Sequence, residues 1–214
     1  MTLKENNAPM TTNISDLLFG DVPLETWALT DCNETPWDLF KLAKANIDEG
    51  NVSVAVNTLK TIAALPNLES RQYLQAHHAL RQLGIVEETP IIYGVIAEVG
   101  LDGGHDTVAV YADYAARYYN YSGNGVVWEH PDASLDNITD HILMLAEDLI
   151  TKIGPWKGDR RPAPTENIAR INILTSNGLY FGEAPIEVLF SDPMAKGIMR
   201  SMFDMMQTLI TKGN

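Results

Sequence analysis

With 214 residues and a 45% apolar fraction, the chain can build one large domain or two small ones around a true core. Its formal net charge of -13 repels a phosphate backbone and argues against nucleic acid as a partner of the whole protein. A single cysteine, Cys32, excludes an intrachain disulfide and any zinc site made mainly of thiolates.

The charge is unevenly spread. From Ile85 to Ile150 the only lysine or arginine is Arg117, set against about a dozen carboxylates. That pattern suits a solvated acidic face, or a face for a basic partner. The opening residues, MTLKENNAPMTTN, hold no apolar stretch and read as a polar, disordered tail over 1–13 rather than a signal peptide. No apolar run approaches the ~18 residues needed to span a membrane. A cytoplasmic setting without a membrane partner is the expectation.

In ISDLLFGDVPLETWAL, Gly20 and Pro23 break any long helix, and Leu17, Leu18, Phe19, Leu24 and Trp27 need cover. The segment is expected to lie across another element. Three helices follow. Leu39, Leu42, Ala43 and Ile47 keep helical spacing over 36–50, with Pro36 in the first turn and Gly50 as the stop. Val52, Val56, Leu59 and Ile62 do so over 51–65, before Pro66. Tyr73, Leu74, Leu80 and Leu83 do so over 69–84, ended by Gly84.

A shift of about 34 residues lays Leu39 on Tyr73, Leu42 on Ala76, Ala43 on His77, Asn46 on Leu80 and Gly50 on Gly84. Ala55 and Leu59 supply a small and then a large residue on the intervening helix. Residues 36–84 thus resemble one and a half tetratricopeptide units. Ala43 stands where that family has glycine and Asn46 where it has tyrosine. The resemblance implies helix packing, and a peptide groove only with about three repeats.

After Gly84 the period becomes that of strands. Residues 91–99, 105–112, 116–122 and 126–130 read as a four-stranded antiparallel meander. A helix over 134–154 follows, with Ser134 as N-cap and Leu135, Ile138, Ile142, Leu145, Leu149 and Ile153 as its stripe. Asn177-Gly178 marks a second hairpin. Asp192 and Pro193 open a final methionine-rich helix. The expected fold is α+β: a helical region over 14–84 packed on an antiparallel sheet domain over 85–214, in the order ββββ-α-ββ-α. Small sensor and adaptor domains of the profilin or roadblock type combine similar elements. The whole chain is similar to bacterial proteins of uncharacterised function, a resemblance that implies no activity.

Glu98–Val110, EVGLDGGHDTVAV, is the most site-like stretch. Its glycines lack the lysine of a phosphate loop and precede a strand rather than a helix, so it reads as a hairpin turn. A metal site here would use Glu98, Asp102, His105 and Asp106. His130 and His141, with Asp132, Asp136 and Asp140, form a second acidic group, which the N-terminal dipole of the following helix already explains. His77 and His78, adjacent on a helix, point apart. Cys32 has no local histidine signature, and no nucleophile–base–orienter set is visible, so no catalytic residue, metal or cofactor is assigned.

Aromatics carry more. Tyr111, Tyr114, Tyr118, Tyr119 and Tyr121 crowd the second and third strands, followed by Trp128. Alternation puts Arg117, Tyr119 and Tyr121 on one face and Tyr118 on the other. Tyr, Trp and Arg on an open face make interface hot spots. The last helix adds Met202 and Met206 as a soft surface for a partner or a second copy. The leading expectation is therefore a protein-interaction adaptor with contacts at Arg117, Tyr119, Tyr121, Trp128, Met202 and Met206. The alternatives are a metal-assisted hydrolase, and a sensor of anionic metabolites with a pocket beside the basic loop of Lys157, Arg160 and Arg161.

Overall fold

Apolar stripes at helical spacing turn residues 37–82 into three neighbouring helices in the computed structural model, which describes residues 14–28 and 31–213. The expected tail, 1–13, lies outside the described residues. Helices α1 (Ile14–Phe19) and α2 (Leu24–Ala28) are the two halves of the segment broken by Gly20 and Pro23. Helices α3 (Trp37–Asp48), α4 (Val52–Ala64) and α5 (Ser70–Gln82) follow. Gly50 and Gly84 take left-handed φ values of 78° and 80°, as helix stops of this kind require. The Gln72 side chain accepts the Glu69 N–H at 3.0 Å and closes the first turn of α5.

Strands β1 (Ile92–Leu101), β2 (Gly104–Tyr111), β3 (Ala116–Tyr119) and β4 (Gly125–Trp128) form the meander. Helix α6 (Asp136–Ile150) comes next, then β5 (Ile168–Thr175), β6 (Gly178–Pro185), α7 (Ile186–Ser191) and α8 (Lys196–Gly213). All six strands join one antiparallel sheet in the order β4-β3-β2-β1-β5-β6. The α+β class holds. One cap differs from expectation: the Asp132 carboxylate, not Ser134, caps a short 3-10 turn before α6, accepting the Ser134 N–H at 2.8 Å. The Asp192 side chain caps the turn leading into α8 through the Met194 and Ala195 N–H groups.

Helices cover both faces of the sheet, so β1 reads as a nearly unbroken apolar run rather than an alternating one. Val95, Val108, Tyr118 and Ile171 face α6 and α8, packing against Ile142, Ile198 and Met205. Ile96, Ala109, Tyr111 and Leu174 face the opposite way, against Leu18, Phe19 and Leu74. The Tyr111 hydroxyl donates to the Leu18 carbonyl at 2.8 Å and pins α1 to this face.

Helix α5 is buried on two sides, which the stripe Tyr73, Leu74, Leu80, Leu83 does not convey. Ala76, Ala79 and Leu80 pack with Phe40, Leu59 and Ile62, while Leu74 packs on the sheet. The helical region and the sheet therefore share α5 as a common wall.

The proline-rich loop, residues 154–167, lies across the helix-bearing face occupied by α1 and α5. Its Trp156 N–H donates to the Leu179 carbonyl at 2.7 Å, and the Asn167 N–H to the Gly100 carbonyl at 3.1 Å. A Cβ on Gly100 would stand 1.9 Å from the Thr165 carbonyl oxygen. Gly100 is therefore a place of close approach between two backbones, whereas Gly103, at φ 84°, makes the β1–β2 turn.

Candidate functional site

The strap formed by residues 154–167 does not lie flat. Between it, α5 and the β5–β6 turn it leaves a cavity of about 450 Å³. Phe19 and Leu74 line it from the helical side, Trp156 and Arg160 from the strap, and Leu174 and Leu179 from the sheet. Trp156 is braced edge-on against Phe181, ring centroids 5.0 Å apart, and its indole N–H donates to the Asp159 carbonyl at 2.9 Å.

Two guanidinium groups reach this cavity. Arg160 lies over the Phe19 ring, 4.3 Å from its centroid, and pairs with Asp21 at 3.2 Å. Arg81, in the last turn of α5, donates to the Ser176 carbonyl at 2.7 Å and meets His78 Nδ1 at 3.5 Å. Among the described residues no carboxylate forms an ion pair with Arg81. Burial pulls its pKa down, and the field of Asp21 only partly offsets this. Beside it, burial and the Arg81 charge push His78 down to about 4, so its imidazole is neutral at pH 7.

His77, on the next position of α5, is buried against the Tyr93 hydroxyl at 3.2 Å. Burial lowers its pKa too, and raises Tyr93 to about 12. Both histidines are depressed in the fold, so below pH 6.5 the unfolded chain takes up protons that the native state refuses. Stability is then full above about pH 6.5 and falls as pH drops toward 4. The His78 share is expected to be about 2 kcal/mol once solvent screening is allowed for. Urea midpoints at pH 7 and pH 4.5 check this, and His78→Gln should flatten the difference.

The basic loop residues do not act together. Arg160 faces the cavity, Lys157 is exposed, and Arg161 turns away to pair with Glu183 at 2.9 Å. Arg81 was invisible as a partner of this loop because nearly eighty residues separate them and a basic residue in a last helical turn is already explained by the dipole.

The aromatic contact surface expected on the sheet is largely spent inside the chain. Arg117 is 3% exposed, with its guanidinium donating to the Ala116 and Trp128 carbonyls and pairing with Glu129 at 2.5 Å. Trp128 is 8% exposed beneath Lys212, whose ammonium sits 4.5 Å from the ring centroid. Tyr119 is half-buried on the opposite side, and Met202 is 1% exposed. The reason is the second helical layer: helices cover both faces, so neither is left open. Of the expected contact residues only Tyr121, beyond the end of β3 and 62% exposed, presents a large aromatic surface, and Met206 is half-buried.

The carboxylates of the metal reading separate. Glu98 is buried on the strap side, held by Arg170 at 3.2 Å and by the Asn172 amide at 2.9 Å. Asp106 points to the other face, where it accepts from the Tyr118 hydroxyl at 2.8 Å and the Tyr121 N–H at 2.9 Å. Asp102 is exposed in the turn. No group of three or more His, Cys, Asp or Glu among the described residues is placed to hold a metal ion. His130 pairs with Asp136 at 2.9 Å and stacks on Tyr114, while His141 is exposed.

No family model, curated protein or solved structure matches this chain. Among the described residues no helix is long and apolar enough to cross a membrane.

A second cavity, of about 250 Å³, opens on the far face of the sheet between α7 and α8. Met202 and Met206 line it, together with Phe203, which is 50% exposed at its mouth. A third hollow, of about 460 Å³, runs beside Arg161 and Arg170 under Pro162–Pro164. Both arginines there are already neutralised by Glu183, and Arg170 by Glu98 as well.

Proposed function

We propose that the chain is a binding protein for a small anionic metabolite, held in the cavity between α5, the strap and the β5–β6 turn. What supports the reading is Arg81: a half-buried guanidinium on a cavity wall, with donors to spare and no carboxylate paired to it. A buried cation that burial weakens gains most from an incoming carboxylate or phosphate, because the ligand relieves its desolvation. Trp156, Phe19, Leu174 and Leu179 give the same cavity apolar walls for a ligand's body, while Asp21, His78, Arg81, Asp159 and Arg160 make the rest of its lining strongly polar. Asp21 and Asp159 stand nearby, so a single carboxylate or phosphate is favoured over a polyanion.

The reading is tested by thermal shift and calorimetry with a panel of small carboxylates and monophosphates. A binder raises the melting temperature by mass action. Arg81→Gln, checked for folding by circular dichroism, is expected to weaken it by at least about 10-fold, the loss of a charge-assisted hydrogen bond. Affinity should also rise as pH falls toward 5, since an anion favours protonated His78 and linkage is reciprocal. A binder whose affinity ignores Arg81→Gln would place the ligand elsewhere.

A further inference from the structure

The cavity between α7 and α8 is a different chemical object from the first. Of its eleven lining residues ten are apolar and one, Asp106, is charged. Val99 and Val108 form the floor on the sheet, Phe190 closes one side, and Met202, Phe203 and Met206 close the other. The small side chain of Ala97 on β1 also lines this floor. An engineered cavity of about 150 Å³ with such a lining stays dry and accepts benzene. This one, at about 250 Å³, has room for a ring with a short chain. Three methionines, Met199, Met202 and Met206, add side chains that reshape around an apolar guest. Water is a poor occupant: it needs two to four polar partners, and the lining offers one side chain.

That side chain sets the ligand's head group. The two Asp106 oxygens are fixed by the Tyr118 hydroxyl and the Tyr121 N–H, so the carboxylate cannot swing away from the cavity. Each oxygen keeps a free lone pair for a donor. No lysine or arginine lines the cavity, so a second carboxylate entering it would meet like charge alone.

We propose that this cavity is a binding site for a small apolar ring or chain ending in an amine, with the apolar body on the sheet floor between α7 and α8 and the ammonium on Asp106. It is independent of the anion site, which lies on the opposite face of the sheet and is lined by none of the same residues.

Three probes share one body and differ in head group: 4-phenylbutylamine, 4-phenylbutanol and 4-phenylbutanoate. Calorimetry on the full chain is expected to rank them amine, alcohol, carboxylate, with at least about 10-fold between the first and last. Ala97→Leu fills the floor and should abolish amine binding, and Val99→Phe serves the same purpose if the first variant folds poorly. Asp106→Asn keeps one acceptor, for the Tyr121 N–H, while its amide N–H can donate to a reoriented Tyr118 hydroxyl, and it should bring the amine down to the level of the alcohol. The proposal is overturned if no probe binds, if the carboxylate binds tightest, or if amine binding survives a folded floor-filling variant. Sedimentation at several concentrations supplies the last outcome. A dimer that Phe203→Ala dissociates would give the cavity to a second copy and overturn the small-ligand assignment.

Discussion

Replacing Arg170 with methionine is expected to destabilise the protein by about 3–5 kcal/mol. Arg170 is 3% exposed and joins three structural units. It pairs with Glu98 on β1 at 3.2 Å and with Glu183 on β6 at 2.5 Å. It also donates to the Pro162 carbonyl of the strap at 2.7 Å. Methionine fills similar space but leaves Glu98, itself buried, facing only the Asn172 amide. A buried charge stripped of its partner costs far more than the intact pair contributes. Urea denaturation measures the loss. Adding Glu98→Gln to the variant should restore at least about 1 kcal/mol by removing the stranded charge. A loss below about 1 kcal/mol, or no recovery in the double variant, would show that water already solvates Glu98.

Gly100→Val is the second large effect, about 3 kcal/mol, from forcing volume into a closed contact. The new Cβ would meet backbone, the Thr165 and Pro164 carbonyls, which cannot rotate aside as a side chain can. The strap must lift, and with it one wall of the cavity beside Arg81. Trypsin should then cleave after Lys157 and Arg160 sooner in the variant than in the parent. Gly103→Ala is the control: a Cβ there meets nothing within 4 Å, so only the left-handed φ of 84° is strained, worth about 1–2 kcal/mol. If both variants lose equally and cleavage is unchanged, the strap does not depend on the Gly100 contact.

Local signals survived the passage from sequence to structure, and pairing between distant segments did not. Helical spacing and the stops Gly50 and Gly84 located α3, α4 and α5 to within two residues. Asn177-Gly178 located the β5–β6 turn, and the glycines of 100–104 gave a hairpin rather than a phosphate loop. What alternation could not supply was the placement of β5 beside β1, because antiparallel neighbours far apart in the chain leave no periodic trace. That single pairing makes one sheet of the meander and the second hairpin. The aromatic surface is obscured for a related reason: Arg117 and Trp128 look like open hot spots until both sheet faces are known to be covered. Arg81 illustrates the site's own obscurity. Its surroundings depend on which carboxylates stand near it in space, and of the basic loop only Arg160 lines the same cavity.

The central position of β1 bears on the protein's birth as well as its final shape. Its partners in β2 lie close in the chain, from the Leu101–Gly104 pair to Gly94–Tyr111, so that edge closes as soon as both strands exist. Its partners in β5 lie much further away, from Val99–Ala169 to Ile92–Thr175. At roughly 5–20 residues per second of synthesis, the second edge of β1 waits about 4–15 s for its mate. During that interval the nascent chain carries an apolar strand with one row of unmet backbone donors and acceptors, the template on which strands from other chains dock. The ribosome-bound intermediate, more than the finished molecule, is where this fold is most exposed to misassembly.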